Sequence, residues 1–129
     1  MTRLQPAVRA LLEGPNQAHL ASLLPDGSPH SVPLWVGLEG DQIAFLTGPS
    51  SRKARNIAQD PRVAISLTDR EQPFRMATIR GRVTERLEGD KAWEAIDRIS
   101  TVYIGGPYPR GEERVVFLVE PDQVTTSAY

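Results

Sequence analysis

The sequence predicts a mainly β fold with peripheral helices, arranged as a small closed or partly closed barrel. Three observations support this prediction. The chain has 129 residues, which suits a single domain spanning residues 1–129. At least six segments have the apolar patterns of strands. The first three of these segments are separated only by short turns, which favours antiparallel neighbours over βαβ units and, with the other strands, a barrel.

The first half of the chain predicts one helix and three strands. Apolar residues recur at helical spacing from Pro6 to Glu13, and Gly14-Pro15 ends that helix. Asp26-Gly27 favours a hairpin turn between the first two strands. We predict that the three strands form an antiparallel meander and that they cover residues 19–24, 31–36 and 42–47.

The second half alternates between helical and strand patterns. A serine of Ser50-Ser51 caps a short helix. This helix ends at Asp60-Pro61, because a residue before proline is pushed out of the helical region. Pro121-Asp122 is predicted to turn the chain before a short last strand near Val124. The predicted helices cover residues 52–59 and 90–103, and the predicted strands cover residues 63–68, 76–85 and 115–119. The last of these is a near-continuous apolar run, which is typical of a strand buried on both faces.

The composition excludes several classes of protein. The sequence has no cysteine, so disulfides, thiolate metal sites and cysteine nucleophiles are ruled out. Its net charge of -1 and its 6% aromatic residues disfavour a nucleic-acid-binding module. No apolar run approaches the roughly 20 residues that span a bilayer, and the N-terminus lacks the apolar core of a signal peptide. We therefore expect a soluble, cytoplasmic domain that does not bind membranes.

The segment Ser50-Ser51-Arg52-Lys53 is the most informative part of the sequence. It places two cations in the first turn of a helix, where the helix dipole disfavours positive charge. One interpretation is a solvated helix that tolerates this cost of about 0.3–1 kcal/mol per charge. The other is an anion site, in which serine hydroxyls, backbone N–H groups and two cations converge on a phosphate.

Other candidate residues have weaker signals. Pro33 lies inside a predicted strand, which requires an edge, a bulge or an adjacent ligand. Trp35 is expected in the core, in a dimer contact or along a pocket. His19 and His30 lack metal-ligand spacing, so we expect no metal site, and Ser28 with His30 does not constitute a hydrolase triad. The segment from Tyr103 to Pro109 is either a rigid surface loop or a lid.

Several motifs in this order resemble the pyridoxamine 5′-phosphate oxidase-like superfamily. They are Asp26-Gly27-Ser28-Pro29, Phe45-Leu46-Thr47, the run from Ser51 to Asn56, Asp60-Pro61-Arg62-Val63 and the strand from Thr78 to Val83. The C-terminal part is similar to the branch that uses the deazaflavin coenzyme F420. This similarity rests on the helix 90–103, on Pro107-Tyr108-Pro109 and on Arg114-Val115-Val116.

The resemblance implies a homodimeric split β-barrel with a flavin-type cofactor in a groove at the subunit interface. It implies that Arg52 and Lys53 hold the cofactor phosphate and that hydroxyl groups assist them. The cofactor ring would lie along the second strand. The full set of implied cofactor-binding residues is Val32, Pro33, Leu34, Trp35, Leu46, Thr47, Ser51, Arg52, Lys53, Asn56 and Met76.

The sequence also departs from the pattern of the oxidases after which the superfamily is named. Val32 and Gly37 stand where those enzymes carry basic residues, and Met76 replaces a glutamine that contacts the flavin. The C-terminal tryptophan and arginine segment that serves flavin and pyridoxal phosphate has no counterpart here. Oxidation of vitamin B6 is therefore disfavoured, and a wider pocket suits a cofactor with a longer tail than FMN.

Three functional hypotheses follow from the resemblance. The leading one is a reductase that transfers hydride from reduced F420 to a small unsaturated substrate such as an enone, a quinone or a tetrapyrrole. The others are an FMN-binding oxidoreductase and a non-catalytic carrier of flavin or deazaflavin. No catalytic residue is assigned by the sequence, and the proton is expected from solvent or from Tyr108.

Overall fold

The computed structural model describes residues 3–127 and confirms a mainly β split barrel. Three helices are present in this range: α1 (Pro6–Glu13), α2 (Arg52–Gln59) and α3 (Gly89–Ile104). The strands are β1 (Ala18–Leu23), β2 (Pro29–Leu34), β3 (Val36–Glu39), β4 (Gln42–Thr47), β5 (Arg62–Thr68), β6 (Met76–Leu87) and β7 (Val115–Ser127). They form one seven-stranded sheet in the order β2-β1-β5-β6-β7-β4-β3, with antiparallel neighbours throughout. None of the helices in residues 3–127 combines the length and the apolar character needed to cross a membrane.

The predicted three-strand meander is wrong. The segment predicted as one strand over 31–36 belongs to β2 and β3, which are separated at Trp35 and lie at opposite ends of the strand order. Leu34 and Val36 both remain buried, so the alternation of apolar residues continues across the break. Alternation reports which face of a strand is buried and not which strand lies beside it. Of the three settings expected for Pro33, the structure shows the edge strand, because β2 lies at one end of the strand order in residues 3–127.

The predicted turn at Pro121-Asp122 is also wrong, because β7 continues through it to Ser127 and pairs with β6 along its length. The register shifts at this point, so that Gly81 faces Pro121 while Arg80 faces Gln123. This irregularity accommodates a proline that a regular central strand would exclude. A Cβ on Gly81 would lie 2.3 Å from the Glu120 carbonyl oxygen, so only glycine fits the close approach of the two strands.

Two apolar clusters hold the fold together. The first, here called the barrel core, lies inside the rolled sheet; its fully buried members include Leu20, Ile43, Phe45, Ile65 and Ile79, and α1 covers it with Val8 and Leu12. The second, here called the outer core, lies between α3 and the opposite face of β4 and β7; it contains Ala44, Ala92, Ala95, Ile96, Ile99, Val116 and Leu118. The run 115–119 is thus buried on both faces, as predicted.

Candidate functional site

An open groove of about 710 Å³ lies at the rim of the barrel, where β2 meets β3 and β4 leads into α2. The turn that joins β4 to α2 forms one side, and the segment before β7 forms another. The groove is lined by Pro33, Leu34, Trp35, Leu46, Thr47, Gly48, Pro49, Ser50, Ser51, Lys53, Tyr108, Glu112, Glu113 and Arg114. Its volume is within the usual range for small-molecule and cofactor sites.

One end of the groove carries hydroxyl groups at the start of α2. Ser51 is the N-cap, which confirms the predicted serine cap, and its Oγ accepts a hydrogen bond of 3.2 Å from the Ala54 backbone N–H. The Thr47 and Ser51 hydroxyl oxygens lie 2.8 Å apart and share a hydrogen bond. Both side chains therefore sit at the helix terminus, where the positive end of the dipole favours an anion.

Lys53 is the cation of α2 that lines this end of the groove. Its pKa is lowered from the ordinary value of 10.5, chiefly because burial disfavours the ammonium group and further because of the positive charge of Arg114. An anion bound beside the ammonium group would counteract both effects. The electrostatics of this end of the groove thus favour a negatively charged ligand.

Arg52 and Asn56 take part in a different set of contacts. The Arg52 Nε donates to Asn56 Oδ1 at 3.0 Å, and the Asn56 Nδ2 donates to the Ser22 hydroxyl at 3.1 Å. Asn56 is only 1% exposed, so these bonds satisfy a buried amide and tie α2 to β1. Neither Arg52 nor Asn56 is among the groove-lining residues in the described part of the chain.

The groove also has an aromatic wall. Trp35 stacks on Tyr103 with their ring centroids 4.9 Å apart, and its edge meets Tyr108 at 6.1 Å. The Tyr103 hydroxyl donates to the Asn16 carbonyl at 2.6 Å and accepts from the Val36 N–H at 3.2 Å. Burial raises the pKa of Tyr103, and the hydrogen bond from Val36 partly offsets this. These contacts hold Trp35 at the point where the chain passes from β2 to β3.

The segment between α3 and β7 is anchored along its length. Asp97 accepts two hydrogen bonds from Arg110, at 3.0 and 2.8 Å, and one of 3.1 Å from the Tyr108 backbone N–H. These bonds, chiefly those from the Arg110 side chain, lower the pKa of Asp97. The Arg110 guanidinium also lies 3.9 Å from the centroid of the Trp93 ring. The structure therefore has a tethered surface loop here, and Tyr108 is held against the aromatic wall.

The remaining predicted site residues are divided between the groove and other places. Pro33, Leu34 and Leu46 line the groove. Val32 packs against the barrel core, and Met76 lines a separate cavity of about 370 Å³ beside α1. Within residues 3–127, no group of three His, Asp or Glu side chains is placed to hold a metal ion.

Arg114 was not among the predicted binding residues, although the structure brings it to the groove. The register of β4 and β7 pairs Thr47 with Val115, which sets Arg114 close to the turn after β4. A Cβ on Gly48 would lie 3.8 Å from the Arg114 Nη1. The sequence shows only an arginine ahead of an apolar run, and its partner strand is 68 positions earlier, so local pattern could not reveal this contact.

The protein is thus a split barrel with an open, partly cationic groove at its rim. This architecture agrees with the fold of oxidoreductases that use flavin or deazaflavin cofactors. The profile of the pyridoxamine 5′-phosphate oxidase family matches residues 4–128. The chain therefore belongs to this family, which confirms the family resemblance and the fold expected from the sequence.

Solved structures support the same fold. The chain is similar to an F420 reductase, with 29% identity, a TM-score of 0.83, and coverage of 95% of this chain and 98% of that one. It is also similar to a conserved hypothetical protein from Mycobacterium tuberculosis, with 22% identity, a TM-score of 0.81, and coverage of 99% and 86%. General Stress Protein 26 from Bacillus anthracis gives 16% identity, a TM-score of 0.72, and coverage of 94% and 91%. No curated protein matches the chain.

Proposed function

We propose that this protein is an oxidoreductase that binds coenzyme F420 in the groove and reduces a small unsaturated molecule. The observation that carries this proposal is the polarity of the groove, which joins an anion-favouring end at Lys53 to an aromatic wall at Trp35. A deazaflavin cofactor has the matching parts, because a phosphate lies in its tail and its ring is planar and conjugated.

The residues of the groove fit such a cofactor. The Thr47 and Ser51 hydroxyls, the start of α2 and the half-buried Lys53 form a donor set suited to phosphate. Pro33, Leu34 and Trp35 would lie along the ring, which supplies hydride when the cofactor is bound in its reduced form. The protein itself would orient the substrate over this ring and restrict the access of water.

Two features favour deazaflavin over FMN. The F420 reductase to which the chain is similar covers nearly the whole sequence at 29% identity. The second feature is the lack of basic side chains at Val32 and Gly37. A Cβ on Gly37 would lie 2.8 Å from Ile99 Cγ1, so α3 occupies the space that a longer side chain would need. Neither Val32 nor Gly37 lines the groove within residues 3–127, so this second feature is an argument from the family resemblance alone.

The substrate class proposed here comprises enones, quinones and tetrapyrroles. Reduction of one double bond in such a molecule takes one hydride and one proton. The proton would come from solvent or from the Tyr108 hydroxyl, since the tethered loop holds Tyr108 at the groove beside Trp35. A substrate bound between the aromatic wall and the cofactor ring would be within reach of either source.

We also propose that the protein acts as a homodimer whose groove is shared between the chains. Met76 is 36% exposed at the start of β6, and Phe74 is 56% exposed in the turn before it. Apolar surface of this kind is suited to burial against a second copy. Sedimentation at micromolar concentration with the cofactor bound should give the mass of two chains, and the mass of one chain would contradict the proposal.

The decisive experiment is a fluorescence titration of cofactor-free protein with F420 and with FMN in parallel. Tighter binding of F420 supports the proposal, whereas tighter binding of FMN would replace it with an FMN-dependent oxidoreductase. Binding of neither would reject both assignments. Lys53→Ala provides a control for binding in the groove, because it removes the ammonium group without altering the barrel core.

Turnover separates an enzyme from a carrier. Reduced F420 bound to the protein should be oxidised by a panel of enones, quinones and biliverdin faster than free reduced F420 is. The return of the deazaflavin absorbance measures this reaction directly. Tight binding with no acceleration by any acceptor class would indicate a carrier.

A further inference from the structure

Arg114 occupies a defined place at the anion-favouring end of the groove. Its side chain is only 22% exposed, and its guanidinium lies close to Gly48 in the turn that leads into α2. The Nη1 donates to the Glu113 carbonyl at 2.9 Å and to Glu112 Oε2 at 3.1 Å. These two hydrogen bonds hold the Arg114 side chain in position without help from a ligand.

Tyr108 and Glu112 stabilise the positive charge of this side chain. The Arg114 guanidinium lies 6.0 Å from the centroid of the Tyr108 ring. The pKa of Arg114 is raised chiefly by a hydrogen bond with the Tyr108 side chain and further by Glu112. The Glu112 side chain is 79% exposed, so its ion pair with Arg114 is weak. Another anion can therefore replace Glu112 at Arg114 at little cost.

Lys53 and Arg114 are like charges that line the same groove. The charge of Arg114 contributes to the lowered pKa of Lys53. Two neighbouring cations repel one another, and an anion between them converts this repulsion into attraction on both sides. Arg52, in contrast, directs its Nε to Asn56 and is not among the groove-lining residues of the described chain.

We propose that Arg114 is the second cation that binds the cofactor phosphate, together with Lys53, in the role that the sequence suggests for Arg52. This inference rests on the proposed function of the groove. A planar guanidinium can donate two parallel hydrogen bonds to a phosphate, which a lysine ammonium cannot do in the same geometry. Because Arg114 directly precedes β7 and contacts Tyr108, phosphate binding would also stabilise the loop that carries Tyr108.

The test compares cofactors with and without a phosphate. Dissociation constants are measured for FMN against riboflavin and for F420 against the deazaflavin that lacks the phosphate tail. Arg114→Ala should weaken binding of the phosphate-bearing member of each pair by about tenfold or more, as expected for a lost hydrogen bond between charged groups. It should leave binding of the other member unchanged. Arg55→Ala, which removes an exposed cation from the same helix as Lys53, is the matched control for net charge.

Three outcomes would overturn the inference. The first is an unchanged preference for phosphate in Arg114→Ala with a lost preference in Arg52→Ala. The second is an equal loss of affinity for both members of each pair, which would make Arg114 a structural residue. The third is an unchanged preference for phosphate in both Arg114→Ala and Arg52→Ala, which would leave no second cation at the phosphate.

A second measurement keeps this inference separate from the proposed function. If the unaltered protein binds neither F420 nor FMN, the proposed function fails. Inorganic phosphate is then titrated while the ¹⁵Nε resonances of the arginine side chains are followed by NMR. A saturable shift of the Arg114 resonance without a shift of Arg55 supports the anion site. Resonances that do not move at millimolar phosphate would reject it.

Discussion

The barrel core and the outer core differ in composition and in what they support. Within the described chain, the barrel core is built from aliphatic and phenylalanine side chains that are almost completely buried. The outer core is smaller, and the side chains packed around it include Trp35, Leu46, Trp93, Tyr103 and Tyr108, which are only partly buried. The groove opens where these partly buried aromatic side chains reach the surface.

This difference assigns separate tasks to the two faces of the same strands. Successive residues of β4 and β7 point alternately into the barrel core and into the outer core. The inward set belongs to the larger and more completely buried cluster, which should contribute most of the stability. The outward set packs against α3 in the outer core, and one of its members, Leu46, also lines the groove. Stability and ligand binding should therefore respond to different substitutions on one strand.

The largest expected effect is on stability and comes from the inward face of β4. Phe45 is fully buried and lies 5.6 Å from Phe117 between ring centroids. Phe45→Ala should lower the free energy of unfolding by about 3–5 kcal/mol, because it leaves a cavity in the barrel core. Urea denaturation measures this change. Leu46→Ala, one residue along and only partly buried, is the control and should cost less. Equal losses would remove the distinction between the two faces.

The next effect is on binding. Lys53→Ala should weaken cofactor binding by about 1.5–3 kcal/mol, or roughly 10- to 150-fold, because a hydrogen bond to a charged phosphate is lost. The fold should remain intact, since Lys53 belongs to neither core. Fluorescence titration gives the affinity, and circular dichroism confirms the fold. Unchanged affinity in a folded variant would contradict the assignment of Lys53, while Arg55→Ala should bind normally.

A smaller effect should come from the support beneath the aromatic wall. Tyr103→Phe removes the hydrogen bonds to the Asn16 carbonyl and from the Val36 N–H but keeps the ring that stacks on Trp35. Thermal or urea unfolding should show a loss of about 1–2 kcal/mol. Cofactor affinity should change little because the stacked ring remains. A large loss of affinity with no loss of stability would show that the hydroxyl, and not the ring, serves the groove.

The smallest expected effect is on pH dependence. The pKa of Lys53 is lowered, so its ammonium form opposes folding at neutral pH and this penalty is relieved as pH rises through the lowered pKa toward 10.5. Cofactor binding has the opposite dependence, because a phosphate needs the protonated amine, and affinity should fall over the same window. Titrations of the unaltered protein and of Lys53→Met across this window isolate the effect. Parallel pH profiles would show that Lys53 does not face the bound anion.

The predictions from the sequence were correct where they rest on neighbours within a few residues. The helix Pro6–Glu13, the capped helix Arg52–Gln59 and the doubly buried run 115–119 were predicted from spacing, capping and apolar pattern, and all are present. The Ser51 cap follows from the same kind of short segment. Such features depend on neighbours within a few residues, and these neighbours are visible in the sequence.

The failures all concern partners that are distant along the chain. The break at Trp35, the continuous β7 and the arrival of Arg114 beside Gly48 each depend on which strands pair and in what register. The orientation of Arg52 toward Asn56 is decided in the same way, because the buried Ser22 of β1 holds that amide in place.

The amino-acid order alone therefore established the mainly β class, the resemblance to the family and the serine cap of α2, since each rests on short-range periodicity, caps and motifs. The folded chain decided which cations face the groove and which aromatic rings form its wall. Strand pairing brings residues together across tens of positions through backbone hydrogen bonds that are nearly the same for every side chain. The identity of the paired strands is consequently set by how the whole barrel closes around its core.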